Sequence, residues 1–119
     1  MTGPGLSHLR VTLSENFYIG PGRADLMELI EKTGSIAAAG KAMGMSYKRA
    51  WDLVQALNDG FGAPLIETSR GGAGQGGAQL TPAGHEVLTR YRLMQNKTRA
   101  AIAADVDALA ALLDMSGRK

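Results

Sequence analysis

The sequence contains no cysteine. That removes disulfide bonds, thiolate nucleophiles and thiolate-ligated zinc together, and it fits a reducing cytoplasm, the compartment expected for the chain. Aromatic residues make up only 5% of the 119 residues, so a core has to be assembled from leucine, isoleucine, valine, methionine and alanine. No apolar run approaches the ~20 residues of a membrane-spanning helix. Residues 1–10 hold no basic stretch followed by an apolar one, so no signal peptide is expected either. The two histidines, His8 and His85, are far apart and stand beside no cluster of carboxylates. Neither a metal site nor a general base is expected from them. No acid, base, nucleophile and oxyanion donors converge, which reads against an enzyme, and no cofactor is implied.

The length is that of one domain with room for one long appendage. Hydrophobic residues make up 45% of the chain, close to the usual globular share. A domain this small gains burial by pairing with a second copy. The net charge is only +2, but it is unevenly spread: residues 40–99 carry eight basic residues against four acidic ones, and the rest carries five against seven. A basic middle between acidic flanks suits a polyanion-binding face; on charge alone an ordinary solvated surface fits as well.

Residues 9–13 (Leu-Arg-Val-Thr-Leu) alternate apolar and polar side chains, the pattern of a half-buried strand. Gly20-Pro21-Gly22 then breaks the chain. Residues 23–33 turn helical, with Leu26, Met27, Leu29 and Ile30 as an apolar stripe and Gly34 as the stop. Ser35 can cap an alanine-rich helix over 36–43. Gly44 supplies a left-handed turn. Ser46 caps a third helix to about Asn58, in which Ala50, Trp51, Leu53, Val54 and Leu57 share one face. Residues 65–69 and 78–80 read as two strands of a hairpin around a glycine-rich tip, a wing at about 65–80.

Thr81-Pro82 opens the last helix, expected over residues 82–115. Leu88, Tyr91, Gln95, Thr98 and Ile102 follow three-four spacing, and Val106, Leu109 and Leu113 continue it. This is an imperfect coiled-coil seam with polar members in its middle. Its far end has no domain to rest on, so a homodimer through this helix is expected; a helix folded back on itself is the other reading.

The segment from Gly34 to Asn58 (GSIAAAGKAMGMSYKRAWDLVQALN) is two helices around a glycine turn, the second with a capped start. That is the helix-turn-helix layout, in which the second helix offers its N-terminal side chains to the major groove. Here these are Ser46, Tyr47, Lys48 and Arg49, a hydroxyl, a phenol and two cations. All donate to phosphates, and Lys or Arg also donates to guanine O6 and N7. Asp52 can accept from cytosine N4 or orient Arg49. Lys41 can approach phosphate from the first helix, or stay solvated.

Gly34-Ser35-Ile36, Gly44-Met45-Ser46-Tyr47-Lys48 and Ala50-Trp51-Asp52, joined to the glycine run at 71–78 and Leu80-Thr81, carry a resemblance. The segment resembles the helix-turn-helix of LysR-type regulators and, more closely, the N-terminal domain of the molybdate-responsive ModE regulators, over roughly residues 9–94. The resemblance implies a dimeric DNA-binding protein acting on genes of molybdenum transport or molybdenum enzymes, with half-sites ~34 Å apart. It implies no molybdate ligands here, because the sequence ends at Lys119, before C-terminal molybdate-binding domains of that family begin.

Gly72-Ala73-Gly74-Gln75-Gly76-Gly77 formally fits a nucleotide-loop pattern, but a strand rather than a helix follows it and no acidic residue stands about 20 positions on. A wing tip bringing Arg70 and Gln75 to phosphate or the minor groove fits better. Trp51 is expected in the core, its indole bonded to backbone. Glu28, Glu31, Asp105 and Asp107 read as solvated faces, and the methionines as core filling. The fold class expected is mainly α: a winged helix-turn-helix unit over residues 1–81 and a dimerisation helix over 82–115. The function expected is sequence-specific binding of duplex DNA. Its rivals are an interaction module that pairs its long helix with a larger regulator, and a small oxyanion sensor.

Overall fold

The computed structural model describes residues 5–70 and 76–117, and the side chains of 5–69 and 77–113. The order of elements is β1 (Val11–Ser14), β2 (Phe17–Ile19), α1 (Pro21–Thr33), α2 (Ile36–Ala42), α3 (Tyr47–Gly60), β3 (Ile66–Arg70), β4 (Gly76–Leu80) and α4 (Pro82–Gly117). Two antiparallel hairpins, β1–β2 and β3–β4, flank the helices. The chain is mainly helical, with small strand pairs and a long last helix, as its punctuation predicts.

The core forms where three short helices turn their apolar sides inward. Ala24, Leu26, Met27 and Ile30 of α1 meet Ile36 and Ala39 of α2 and Ala50, Val54 and Leu57 of α3, all buried. Gly34 ends α1 in the left-handed conformation, φ 72°, and its N–H donates to the Ile30 carbonyl at 2.7 Å. A side chain at Gly40 would put its Cβ 2.8 Å from that of Ala50, so the glycine is what lets α2 and α3 lie so close.

The second hairpin is fastened to the helices through backbone. Ile66 pairs with Leu80 and Thr68 with Ala78 in register. The Ala78 N–H donates to the Gly34 carbonyl at 2.9 Å, and the Leu80 N–H donates to Glu31 Oε1 at 3.1 Å. Asn58 of α3 closes the other side: its Oδ1 accepts from the N–H groups of Leu65 (2.8 Å) and Ile66 (3.0 Å), and its Nδ2 donates to the Ile66 carbonyl. Asn58→Ala strands two partly buried N–H groups at once and is expected to cost ~1–3 kcal/mol. The check is a lower urea midpoint at unchanged slope; an unmoved midpoint would mean that water takes over the amide's bonds.

Thr81 caps α4. Its hydroxyl donates to the Pro64 carbonyl at 2.7 Å and accepts from the Gly84 N–H at 3.0 Å. The first half of α4 then packs on the domain. Tyr91 is fully buried, with its hydroxyl donating to the Leu9 carbonyl at 2.6 Å. Burial is the main reason its phenol pKa rises above the ordinary value. Arg92 donates to Asp25 (2.9 Å) and Glu28 (2.6 Å) of α1 and to Gln95 (3.0 Å). Burial alone would lower its pKa; the bonds to the two carboxylates outweigh it and the net shift is upward. Further along, the helix leaves the domain, and the molecule extends 64 × 29 × 22 Å. Among the described residues no helix is long and apolar enough to cross a membrane.

Several expectations change. The strand expected at 9–13 is Val11–Ser14, and its partner β2, only three residues long, is too short for periodicity to reveal. Pro21 begins α1 at its first position instead of belonging to a break. β4 reaches back to Gly76, because the backbone ladder needs no side chains. Glu28 and Glu31 are not free surface charges, since each accepts hydrogen bonds that tie α1 to α4 or β4. Tyr91 and Gln95, expected on a seam between copies, are covered by the chain's own fold at 0% and 8% exposure. They lie where α4 still runs over the domain and have no surface to offer a partner.

Candidate nucleic-acid interface

The turn between α2 and α3 is fixed before α3 begins. Gly44 takes φ 73°, and the Met45 N–H donates to the Gly40 carbonyl at 2.9 Å. Ser46 is extended, and its Oγ accepts from the Arg49 N–H at 3.1 Å, satisfying one of the helix's open donors. Burying Ala50, Val54 and Leu57 then sets the rotation of α3. Ser46, Tyr47, Lys48, Arg49, Asp52 and Gln55 fall on the open side, and no acidic residue sits in the first turn.

These residues are not equivalent. Tyr47 is 58% exposed, and its ring stacks on Trp51 at 6.4 Å between centroids and 22° between planes. Trp51 is half-buried at the edge of the apolar stripe, one turn from Tyr47. It therefore shows a ring to the surface instead of filling the core. Lys48 Nζ lies 3.1 Å from Asp52 Oδ2 in an exposed i,i+4 pair. Asp52 is thus set to hold Lys48, not Arg49. An exposed pair of this kind is worth only ~0–1 kcal/mol and opens readily to a competing anion. Lys41 is exposed in the last turn of α2.

Tyr47 and Trp51 form one wall of a cleft of about 330 Å³, with Ser35, Ile36 and Ala37 at the start of α2, and Thr68, Ser69, Gly77 and Ala78 of the hairpin closing it. Thr68 and Ser69 were not singled out by sequence, and Ser35 only as a cap; their small hydroxyls carry no spacing signal for a shared site, and only the docking of the hairpin brings the two strand residues beside α3. Arg49 points elsewhere, into a second cavity against the start of α1. Arg70 pairs with Gly76 through its backbone, while its side chain and all of Gln75 lie outside the described residues. Among the described residues no three His, Asp or Glu are gathered as metal ligands would be.

Of the expected partner-facing residues of α4, Leu88, Ile102 and Val106 are half-buried, whereas Leu109 and Leu113 are 64% and 72% exposed. Leu112, not foreseen, is 57% exposed beside them.

A family model described as bacterial regulatory helix-turn-helix protein, lysR family, matches residues 24–85. The chain is 47% identical over 73 residues to the molybdenum-pterin-binding protein MopB of Rhodobacter capsulatus, covering 61% of this chain and 27% of that protein. It is 35% identical over 103 residues to the DNA-binding transcriptional dual regulator ModE of Escherichia coli K12, covering 85% of this chain and 39% of that protein. The chain thus spans between about a quarter and two fifths of the length of these relatives. A solved complex of the CbnR DNA-binding domain with DNA superposes with a TM-score of 0.55 at 27% identity, covering 76% of this chain and 95% of that one.

Proposed function

Since the chain belongs to the lysR family of bacterial regulatory helix-turn-helix proteins, we propose that α3 enters the major groove of duplex DNA and that the protein regulates transcription by reading a specific site. The observation that carries this is the first turn of α3: a capped helix start, held rigidly by the Gly40–Ala50 approach, with Tyr47, Lys48 and Arg49 exposed and no carboxylate in that turn. Lys48 is the first choice for a base contact, exchanging Asp52 for guanine; Ser46 and Tyr47 are placed for phosphate or base edges beside it. The β3–β4 hairpin is the wing of this reading, with Arg70 and Gln75 as its proposed contacts to the duplex. A regulator of this kind works in the cytoplasm, where the duplex is. The unit over residues 1–81 reads DNA, and α4 pairs two copies.

Its genes are proposed to be those of molybdenum transport or molybdenum enzymes, on the strength of the likeness to a molybdenum-pterin-binding protein and a molybdenum transport protein. Genome-wide immunoprecipitation of bound DNA tests this; sites lying elsewhere would remove the molybdenum reading and leave DNA binding untouched.

For the contact itself, Lys48→Ala is expected to relax preference at one base pair by ~1–3 kcal/mol. Selection of binding sites from a random duplex pool measures it. A profile identical to that of the native chain would take Lys48 out of the reading set. Failure of the native chain to bind any duplex at low salt would overturn the whole reading and favour an interaction module.

A further inference from the structure

On the other side of Arg49 lies a cavity of about 200 Å³ that collects positive charge. Arg10 arrives from the segment before β1, Arg23 from the first turn of α1, and Arg49 from α3; His8 and Tyr18 complete the polar wall. Tyr18 organises two of the cations. The Arg10 guanidinium carbon is 3.7 Å from the centre of its ring and that of Arg23 is 4.1 Å away. Arg23 also donates from Nη1 to the Tyr18 carbonyl at 3.0 Å, while its buried Nε has no partner among the described residues.

Three fixed positive charges in one hollow repel one another, and an arginine cannot shed its proton to relieve this. The Tyr18 ring and carbonyl offset only part of the cost. Among the described residues none of the three makes a salt bridge, and no carboxylate lines the cavity. Asp59 lines a neighbouring cleft that shares Arg23, without pairing with it. The 13-residue α1 adds to the same field. Its N-cap is Gly20, which offers no side chain, and its second residue, Gly22, lines the cavity, so among the described residues the first-turn amides of Gly22 and Arg23 have no capping side chain.

We propose that this cavity binds a phosphate-type tetrahedral oxyanion, held by Arg10, Arg23 and Arg49 and by the open amides of α1. The volume admits such an ion with several waters, each taking ~30 Å³. Two sources share this chemistry: a backbone phosphate of the duplex lying on α3, and a free oxyanion. The first source rests on the DNA-binding reading above; the second does not.

Gly22→Asp separates them without disturbing the fold. A Cβ at Gly22 meets nothing within 4 Å, and a carboxylate in the first turn favours the helix while occupying the cavity's field. If the anion is a duplex phosphate, Gly22→Asp and Arg10→Gln each lower the slope of log affinity against log salt by about 0.9, with base preference unchanged. If it is free, those slopes stay as they were. Inorganic phosphate, ~10-fold above its Kd, then raises the Tm of the native chain by roughly 5 °C more than that of Gly22→Asp; comparing the two chains cancels the general stabilisation by that salt. Either result supports the site. Unchanged slopes together with equal phosphate response in both chains overturn it, whether or not the native chain binds DNA.

Discussion

Val106→Asp together with Leu109→Asp is expected to convert a dimer into a monomer and to weaken binding to a duplex with two half-sites by ~10²–10⁴-fold, the avidity lost when two linked contacts become one. Residues 102, 106, 109 and 113 alternate steps of four and three, the spacing of a coiled-coil seam, on the stretch of α4 that has left the domain. Leu109 is 64% exposed there. In the proposed pairing, two carboxylates on that seam would face their copies across the axis, where burying unpaired charge is prohibitive. They are far from the core, so the melting of the domain should hardly move. Light scattering gives the mass, and a duplex carrying a single half-site gives the control, with affinity expected to stay level. A variant that remains dimeric would place the contact elsewhere; a native chain that is already monomeric would favour a different partner for α4.

The second large effect concerns Gly84. A Cβ at this buried position would be built into the Leu65 carbonyl group, 3.0 Å from its carbon and 3.3 Å from Leu80 Cβ. The obstacle is backbone, so no side chain can swing aside. To make room, α4 must lift from β3, and the Thr81 hydrogen bonds to Pro64 and Leu65 go with it. Gly84→Ala is therefore expected to cost ~3 kcal/mol, a fall in Tm of roughly 10–20 °C for a domain of this size. Gly62→Ala, where the same probe meets nothing within 4 Å, should leave Tm within a degree or two and serves as the control. Equal behaviour of the two would mean that α4 is not seated on Leu65.

The helices were readable because each is bounded by residues with one structural use: Ser35 and Ser46 cap, Gly34 and Gly44 turn, and the stripe Ala50–Val54–Leu57 fixes a face. The exposed start of α3 follows from the same marks. What sequence could not carry is anything assembled across the chain. Arg10, Arg23 and Arg49 look like scattered surface charges until the β1–β2 hairpin folds Tyr18 between two of them. Likewise the three-four pattern of α4 is the same whether a stripe is covered by its own domain or left for another molecule. Tyr91 and Leu109 carry the same periodic signature and opposite surroundings, and only the position at which the helix clears the core tells them apart.

Arg92 makes that clearance mechanical. By gripping Asp25 and Glu28 it ties the base of α4 to α1, and the ~20 residues beyond buried Gln95 form a cantilever ~30 Å long. A swing of about 7° at the base carries the tip through ~3.4 Å, one step of the DNA ladder. In the proposed pairing of two copies, the spacing tolerated between half-sites would then be set by how stiffly Tyr91 and Arg92 seat the base of α4.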